Sequence, residues 1–509
     1  MNYSKICIGG ALLIGLMAWK SAPPINPDLS SQAPVKKPNA SRPNVARPNA
    51  ARRDAGPPNI VIVMADQWRA QDMGYMGNRQ VITPNLNKLA TESVNARLCM
   101  AEVPVCAPSR ASMLTGQHAL THGVFYNDRP LRNEALTLAE VCQQSGYQTG
   151  FIGKWHINGG LAKDFAPGRL APIPADRRQG FEYWRGLECT HDYNNSPYYN
   201  EVNTRFVWQQ YDAISQTDSA IAYMNRKRDA PFFLLLSWGP PHDPYQTAPK
   251  EYRQKYADKS MTLRPNVPAK DTLAASRALR GYYAHINALD DCIGRLQAAL
   301  KGADLDENTI FIFTSDHGDM LYSHDQTNKQ KPWDESVRIP FLLKYPAGLS
   351  RKGKTMDVPM SLTDVMPTIL SLSGQAIPAS VEGENMAGLF QKPRPAKPNE
   401  AVLISCIVPF HQWNYAHGGR EFRGIRTARY TYVRDLKGPW LLYDNAKDPY
   451  QLQNVVNQPA MKQTQQQLEA LLTNKLNTTN DKFLTGNVYM DKWHYPWAAQ
   501  DSLNNPYYR

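Results

Sequence analysis

Four short apolar runs, each closed by polar residues, punctuate the first two-thirds of the chain: NIVIVMAD (59–66), QTGFIGKWH (148–156), PFFLLLSWGPPHD (231–243) and NTIFIFTSDHGD (308–319). Unbroken hydrophobicity without alternation predicts strands covered on both faces, as in a parallel sheet. Before the last of these runs the period changes. Leu279, Tyr283, Ile286, Leu289, Ile293, Leu296 and Leu300 recur at three- and four-residue steps and predict an amphipathic helix over Ser276–Leu300. Strands alternating with helices imply an α/β fold, a large mixed and mostly parallel sheet flanked by helices. Ligands of such sheets bind beyond the carboxyl ends of the strands, where this chain places Asp, His, Lys and Gly.

Other textures lie at the two ends. From about residue 400, FRGIRTARYTYVRD (422–435) and WLLYDNAKDPYQLQN (440–454) predict hairpin strands. A smaller α+β subdomain over 401–509 is expected, with an aromatic tail, VYMDKWHYPWAAQ (488–500), able to wrap back over a main catalytic domain at 59–400. At the other end, Lys5 precedes an apolar run, Ile6–Trp19, shorter than the roughly 20 residues a spanning helix needs. Residues 1–22 read as a signal peptide, with an uncleaved inner-membrane anchor facing the periplasm as the alternative. Export, to the periplasm, is the expectation. Residues 23–58, with KPNASRPNVARPNAAR, form a basic Pro/Asn-rich linker.

Composition narrows the class. The 509 residues are 42% hydrophobic and 20% charged, as in a soluble globular protein. The formal charge is +12, but eight Lys/Arg and two Asp in residues 1–58 carry half of it. The mildly basic body suits an anionic substrate as well as a plain solvated surface, and it has no nucleic-acid motif. Seven cysteines show neither a disulfide framework nor paired Cys/His spacing for zinc.

Two strand ends carry adjacent ligand types: Asp66-Gln67 and Asp316-His317. Together they suit one hard divalent cation. VCAPSRASMLTG (105–116) starts helically, because Pro108 fits a first turn. Cys106 then sits at a helix N-terminus near Arg110, and both features stabilise a thiolate. On environment alone, a buried structural cysteine remains the safer reading.

Cys106-Ala107-Pro108-Ser109-Arg110, followed by ASMLTG, resembles the signature of the type I sulfatases of the alkaline phosphatase superfamily. The resemblance runs from Asn59 to about Asn454 through DQWRAQDMGYMGN, TPNLNKLA, GFIGKWH, GPPHDPY, SDHGDM, KPWDESVRIPFLL and RGIRTARYTYVR. It implies an alkaline-phosphatase-like fold and a nucleophile made by oxidising Cys106 to Cα-formylglycine, so a maturation enzyme is an expected partner. It also implies that Asp66, Gln67, Asp316 and His317 hold one cation, usually Ca2+. Many members have Asp or Asn where this chain has Gln67 and His317, which leaves the metal's identity open. Arg110 and Lys154 resemble the groups that hold the hydrated aldehyde ionised. His156 resembles the base that breaks down the sulfated intermediate, and His242 and Lys329 resemble the groups at the sulfate and its leaving oxygen. His242 is the chosen general acid, and the spacing to Pro332–Ser336 favours Lys329 over Lys331.

The resemblance therefore implies hydrolysis of a sulfate ester. DRRQGFEYWRGLECTHDYNNSPYYN (176–200) is rich in Arg, aromatic residues and Asn, and His191, Asn194 and Asn195 are its candidate sugar contacts. The fuller motifs resemble bacterial polysaccharide sulfatases, with carrageenan oligosaccharides the leading substrate and ulvan, fucan or glycosaminoglycan behind it. A phosphonate monoester or phosphodiester hydrolase of the same superfamily and a non-catalytic carbohydrate-binding relative are the competing functions. Oligomeric state is not legible.

Overall fold

The computed structural model describes residues 56–159, 168–391 and 400–496. The signal and most of the linker readings, which fall on residues 1–55, lie outside the described residues.

The four apolar runs become adjacent strands: β1 (Asn59–Asp66), β2 (Gln148–Lys154), β3 (Phe232–Pro241) and β4 (Thr309–Ser315). They sit at the centre of a ten-stranded sheet. Its order is 354–356, 94–96, 341–344, β4, β1, β3, β2, 183–187, 197–199, 205–207. The five strands from β4 to 183–187 run parallel, and antiparallel pairings appear toward both edges.

Both faces are covered, which is why the strands read as unbroken apolar runs. Ile60, Ile62, Met64, Phe233 and Leu235 face one core, shared with Ala111, Leu114 and Ile369. Val61, Val63, Leu234, Leu236 and Phe313 face the other, shared with Leu279, Ile286, Leu289 and Ile293. The helix α1 (Cys106–Thr115) covers the first face. The long helix expected over 276–300 is α2 (Thr272–Gly302), and it covers the second.

Ala401–Cys406, Phe422–Thr427, Tyr430–Asp435 and Gly438–Asp444 form a separate antiparallel sheet. Leu468, Leu472 and Leu476 of the 462–478 helix pack on one face of it. Arg426 ties this sheet to the body through both oxygens of Asp334, at 2.9 and 3.1 Å. Within the tail, Tyr489, Met490 and Tyr495 pack beside Phe125, Tyr126, Val103 and Val105, just upstream of Cys106. The six cysteines of the described residues are free and buried.

Candidate active site

Because the central strands are parallel, their carboxyl ends meet on one edge of the sheet. β1 ends at Asp66, β2 at Lys154, and β4 is followed directly by Asp316 and His317. β3 leads into His242 and Asp243. α1 begins at Cys106 and ends where Gly116 adopts a left-handed φ of 63°.

Asp66, Cys106, Asp316 and His317 are all buried, and one ligand atom from each lies within 4.8 Å of the others. Arg110 spans the two acids: its Nη2 is 2.9 Å from Asp316 Oδ2 and 3.3 Å from Asp66 Oδ2. Lys154 Nζ bonds the same Asp66 oxygen and lies 3.8 Å from Cys106 Sγ. Burial and the neighbouring Cys106 push the Asp66 carboxyl up, but the Lys154 and Lys329 ammonium groups prevail and hold it well below the usual range.

Cation fit turns on Gln67. Its φ is 66°, and its Nε2 donates to Asp319 Oδ2 at 2.8 Å. That leaves Oε1 buried and without a partner. His317 Nδ1 donates to the Gly318 carbonyl at 2.8 Å, which fixes the ring and leaves Nε2 as the atom turned toward the cluster. Three oxygen donors and one nitrogen, with a buried oxygen awaiting a partner, fit a divalent cation.

Cys106 faces this cluster. Its Sγ is 3.2 Å from His317 Nε2 and 3.0 Å from Lys329 Nζ. Burial alone would push the thiol up, but Lys154, Lys329 and His317 hold it well below its ordinary value. The position is built for a negative charge. Lys329 also reaches His242 Nε2 at 2.9 Å, whereas Lys331 turns away to the Thr327 carbonyl at 2.8 Å.

His156 takes a left-handed φ of 59° and sets Nε2 3.4 Å from Asp128 Oδ1. Its Nδ1 is buried and has no hydrogen-bond partner. Burial opposes its charge, yet Cys189 and Asp128 raise it to about 9. Arg169 grips both oxygens of Asp128, at 3.0 and 2.8 Å. Glu188 Oε1 accepts from the N–H groups of Asn158 and Gly159, fixing the turn after His156.

The three sugar-contact candidates part company. His191 stacks on His242, with ring centroids 4.4 Å apart and planes 6° from parallel. Asn194 is exposed and gives its amide to the Thr247 carbonyl at 2.9 Å. Asn195 is exposed one residue further along the same turn. Asp319, Asp128, Arg169 and Glu188 escaped the sequence reading. SDHGD carries Asp319 in plain view, but its role shows only once Gln67 is folded against it.

Residues 58–375 match the family model described as sulfatase, and residues 323–478 match N-sulphoglucosamine sulphohydrolase, C-terminal. An ulvan-active sulfatase of Formosa agariphila is 40% identical over 443 residues, covering 86% of this chain and 84% of that protein. An endo-4-O-sulfatase of Bacteroides thetaiotaomicron is 30% identical, over 86% of this chain and 95% of its own. Among solved structures, a Bacteroides thetaiotaomicron chain described with the metabolism of multiple glycosaminoglycans superposes with a TM-score of 0.77 at 27% identity, covering 87% of this chain and 100% of its own.

Proposed function

The chain belongs to the sulfatase family and is a sulfatase that hydrolyses sulfate esters on sulfated glycans, and we propose that its substrate is an ulvan-type oligosaccharide. The observation that carries this reading is the 40% identity to an ulvan-active sulfatase over most of both chains. The carrageenan expectation from sequence now ranks second. A relative seen with a neocarrahexaose is only 21% identical, a likeness that speaks for fold alone.

In this reading Cys106 is oxidised to Cα-formylglycine by a maturation enzyme, and Asp66, Gln67, Asp316 and His317 hold Ca2+. Held there, the matured residue 106 would supply the attacking oxygen and the cation would supply positive charge against the sulfuryl oxygens. The protein's own groups do the rest. Arg110 and Lys154 keep Asp66 and the nucleophile position anionic. Lys329 lies between the nucleophile and His242, where the sulfate and its leaving oxygen must sit. His242 and Lys329 together deliver the proton to the departing alcohol. His156, whose pKa of about 9 keeps it protonated in the resting site, takes up the proton that lets sulfate leave only in its neutral form, so this step gains from rising pH. His191, stacked on His242, meets the sugar. Residues 1–22 direct the protein to the periplasm, where imported oligosaccharides would meet it.

The test is sulfate release from defined ulvan, carrageenan, fucan and glycosaminoglycan fragments, alongside a phosphate diester. The enzyme is first shown by mass spectrometry to carry formylglycine at position 106. Release from ulvan fragments alone is the expected result. Release from a galactan instead overturns the substrate, and undiminished turnover by Cys106→Ser overturns the nucleophile.

A further inference from the structure

A cavity of about 510 Å³ opens between the loop that follows β1, the α2 face and residues 449–450. Its wall carries four arginines, Arg69, Arg79, Arg264 and Arg338, against one carboxylate, Asp72. None of the four belongs to the catalytic cluster. The cavity nevertheless grows from the same segment. Arg69 lies two residues beyond Gln67, and Ala70 N–H donates to the Arg338 carbonyl at 3.0 Å.

The donors of this wall are not used up. Arg69 is 3% exposed; its Nε bonds Asp72, and its Nη1 is buried with no partner. Arg338 gives Nη1 to Asp334 Oδ2 at 3.2 Å, and its Nε is likewise buried and unpartnered. Arg264 shares Glu335 Oε1 at 2.8 Å and lies over the Tyr450 ring. Burial lowers the Arg338 pKa, and Arg426 and Arg264 press in the same direction against Asp334. Water would satisfy the spare N–H groups but would leave that excess positive charge in place.

We propose that this cavity binds an oxyanion, the sulfate or carboxylate of an acidic saccharide, with Arg69 Nη1 and Arg338 Nε donating to it. Guanidinium forks suit such planar or tetrahedral oxygens, and the volume admits a sugar ring beside Tyr450. Oxyanion binding stands on the cavity alone. That the anion belongs to the glycan rests on the sulfatase reading above. The cavity would then hold a distant charged unit of the polymer, or, as the alternative source, free inorganic sulfate.

Two experiments separate these. Crystals soaked in selenate are expected to show an anomalous peak within hydrogen-bonding distance of Arg69 Nη1 and Arg338 Nε, lost in Arg338→Gln. Selenate in the catalytic site but not here overturns the site, and an equal peak in the variant marks an adventitious ion only and overturns it too. In kinetics, Arg338→Gln and the exposed-residue variant Arg79→Gln are expected to raise KM for long sulfated oligosaccharides about tenfold, the scale of one charge-assisted hydrogen bond. Turnover of a small aryl sulfate should stay unchanged. A selenate peak without any KM effect overturns the glycan as the source and leaves inorganic sulfate. Absence of all sulfate release by wild-type enzyme would strike the sulfatase reading, while the selenate result still decides the cavity.

Discussion

Lys329 donates a hydrogen bond to Nε2 of His242 at 2.9 Å. The other ring nitrogen, Nδ1, faces the Asp243 carbonyl at 2.9 Å, so it carries the proton and Nε2 accepts. Burial first, then Lys329, lowers the His242 pKa to about 3. The imidazole is therefore neutral near pH 7, and the mobile proton of the pair resides on Lys329 until an anionic substrate arrives. In the proposed mechanism the general-acid role given to His242 is therefore shared with Lys329.

Lys329→Met should lower kcat on the sulfated substrate at least about a hundredfold, the range of a lost acid. It should also raise the His242 pKa from about 3, though burial keeps it below the ordinary value. Imidazole NMR titration of the variant reads that change. An unmoved His242 would show that burial alone sets its charge.

The unpartnered Oε1 of Gln67 makes a separate prediction about the cation. Gln67→Ala should weaken Ca2+ binding about tenfold, and Asp319→Asn, which loosens the grip on Gln67 Nε2, by a similar factor. Calorimetry measures both without recourse to activity. Chelation should lower the melting temperature of wild-type enzyme, and added Ca2+ should restore it by mass action. Equal affinity in Gln67→Ala would remove Gln67 from the ligand set.

How much of this was legible beforehand follows from what each residue depends on. β1 and β4 could be placed because burial on both faces leaves an unbroken apolar signature. α2 began four residues earlier than its apolar period indicated, because Thr272–Ala275 continue the helix before the first repeat, Leu279. Asp66, Cys106, Lys154 and Asp316 sit at strand or helix ends, so motif and position coincide. Asp128 is different. It reaches His156 from 28 residues away through an irregular loop, and no periodicity marks it. Asn194 looked like a sugar contact from composition, but its amide is spent on Thr247.

A pH effect on stability comes from a pair outside the catalytic centre. His118 Nδ1 lies 2.7 Å from Glu102 Oε2. Burial opposes the charge on His118, but Glu102 overcomes it and raises the pKa to about 9. A histidine with a raised folded pKa adds stability that is complete below its unfolded value, near 6.5. That stability fades as pH rises toward 9. Wild-type enzyme should lose up to about 3 kcal/mol across this window, and His118→Gln should flatten the loss. Urea unfolding at pH 6.5 and 9 compares the two, and parallel losses would exclude His118 as the cause.

Gly153 links the sheet to the chemistry of Lys154. Its φ is 107°, and a Cβ there would stand 2.0 Å from the Ser237 carbonyl oxygen on β3. Ser237 Oγ and Arg110 Nη1 both donate to the Lys154 carbonyl, at 2.7 Å each. Gly153→Ala must therefore part β2 from β3 at the point where Lys154 is aimed at Asp66. The expected cost is above about 3 kcal/mol, since overpacking and backbone strain add. The released Lys154 should also fail to restrain Asp66, so turnover should fall further than the folded fraction. Measuring kcat per folded molecule, with the fraction taken from circular dichroism, separates the two effects. A variant that merely unfolds, with normal turnover in its folded fraction, would show that β2 can yield without moving Lys154.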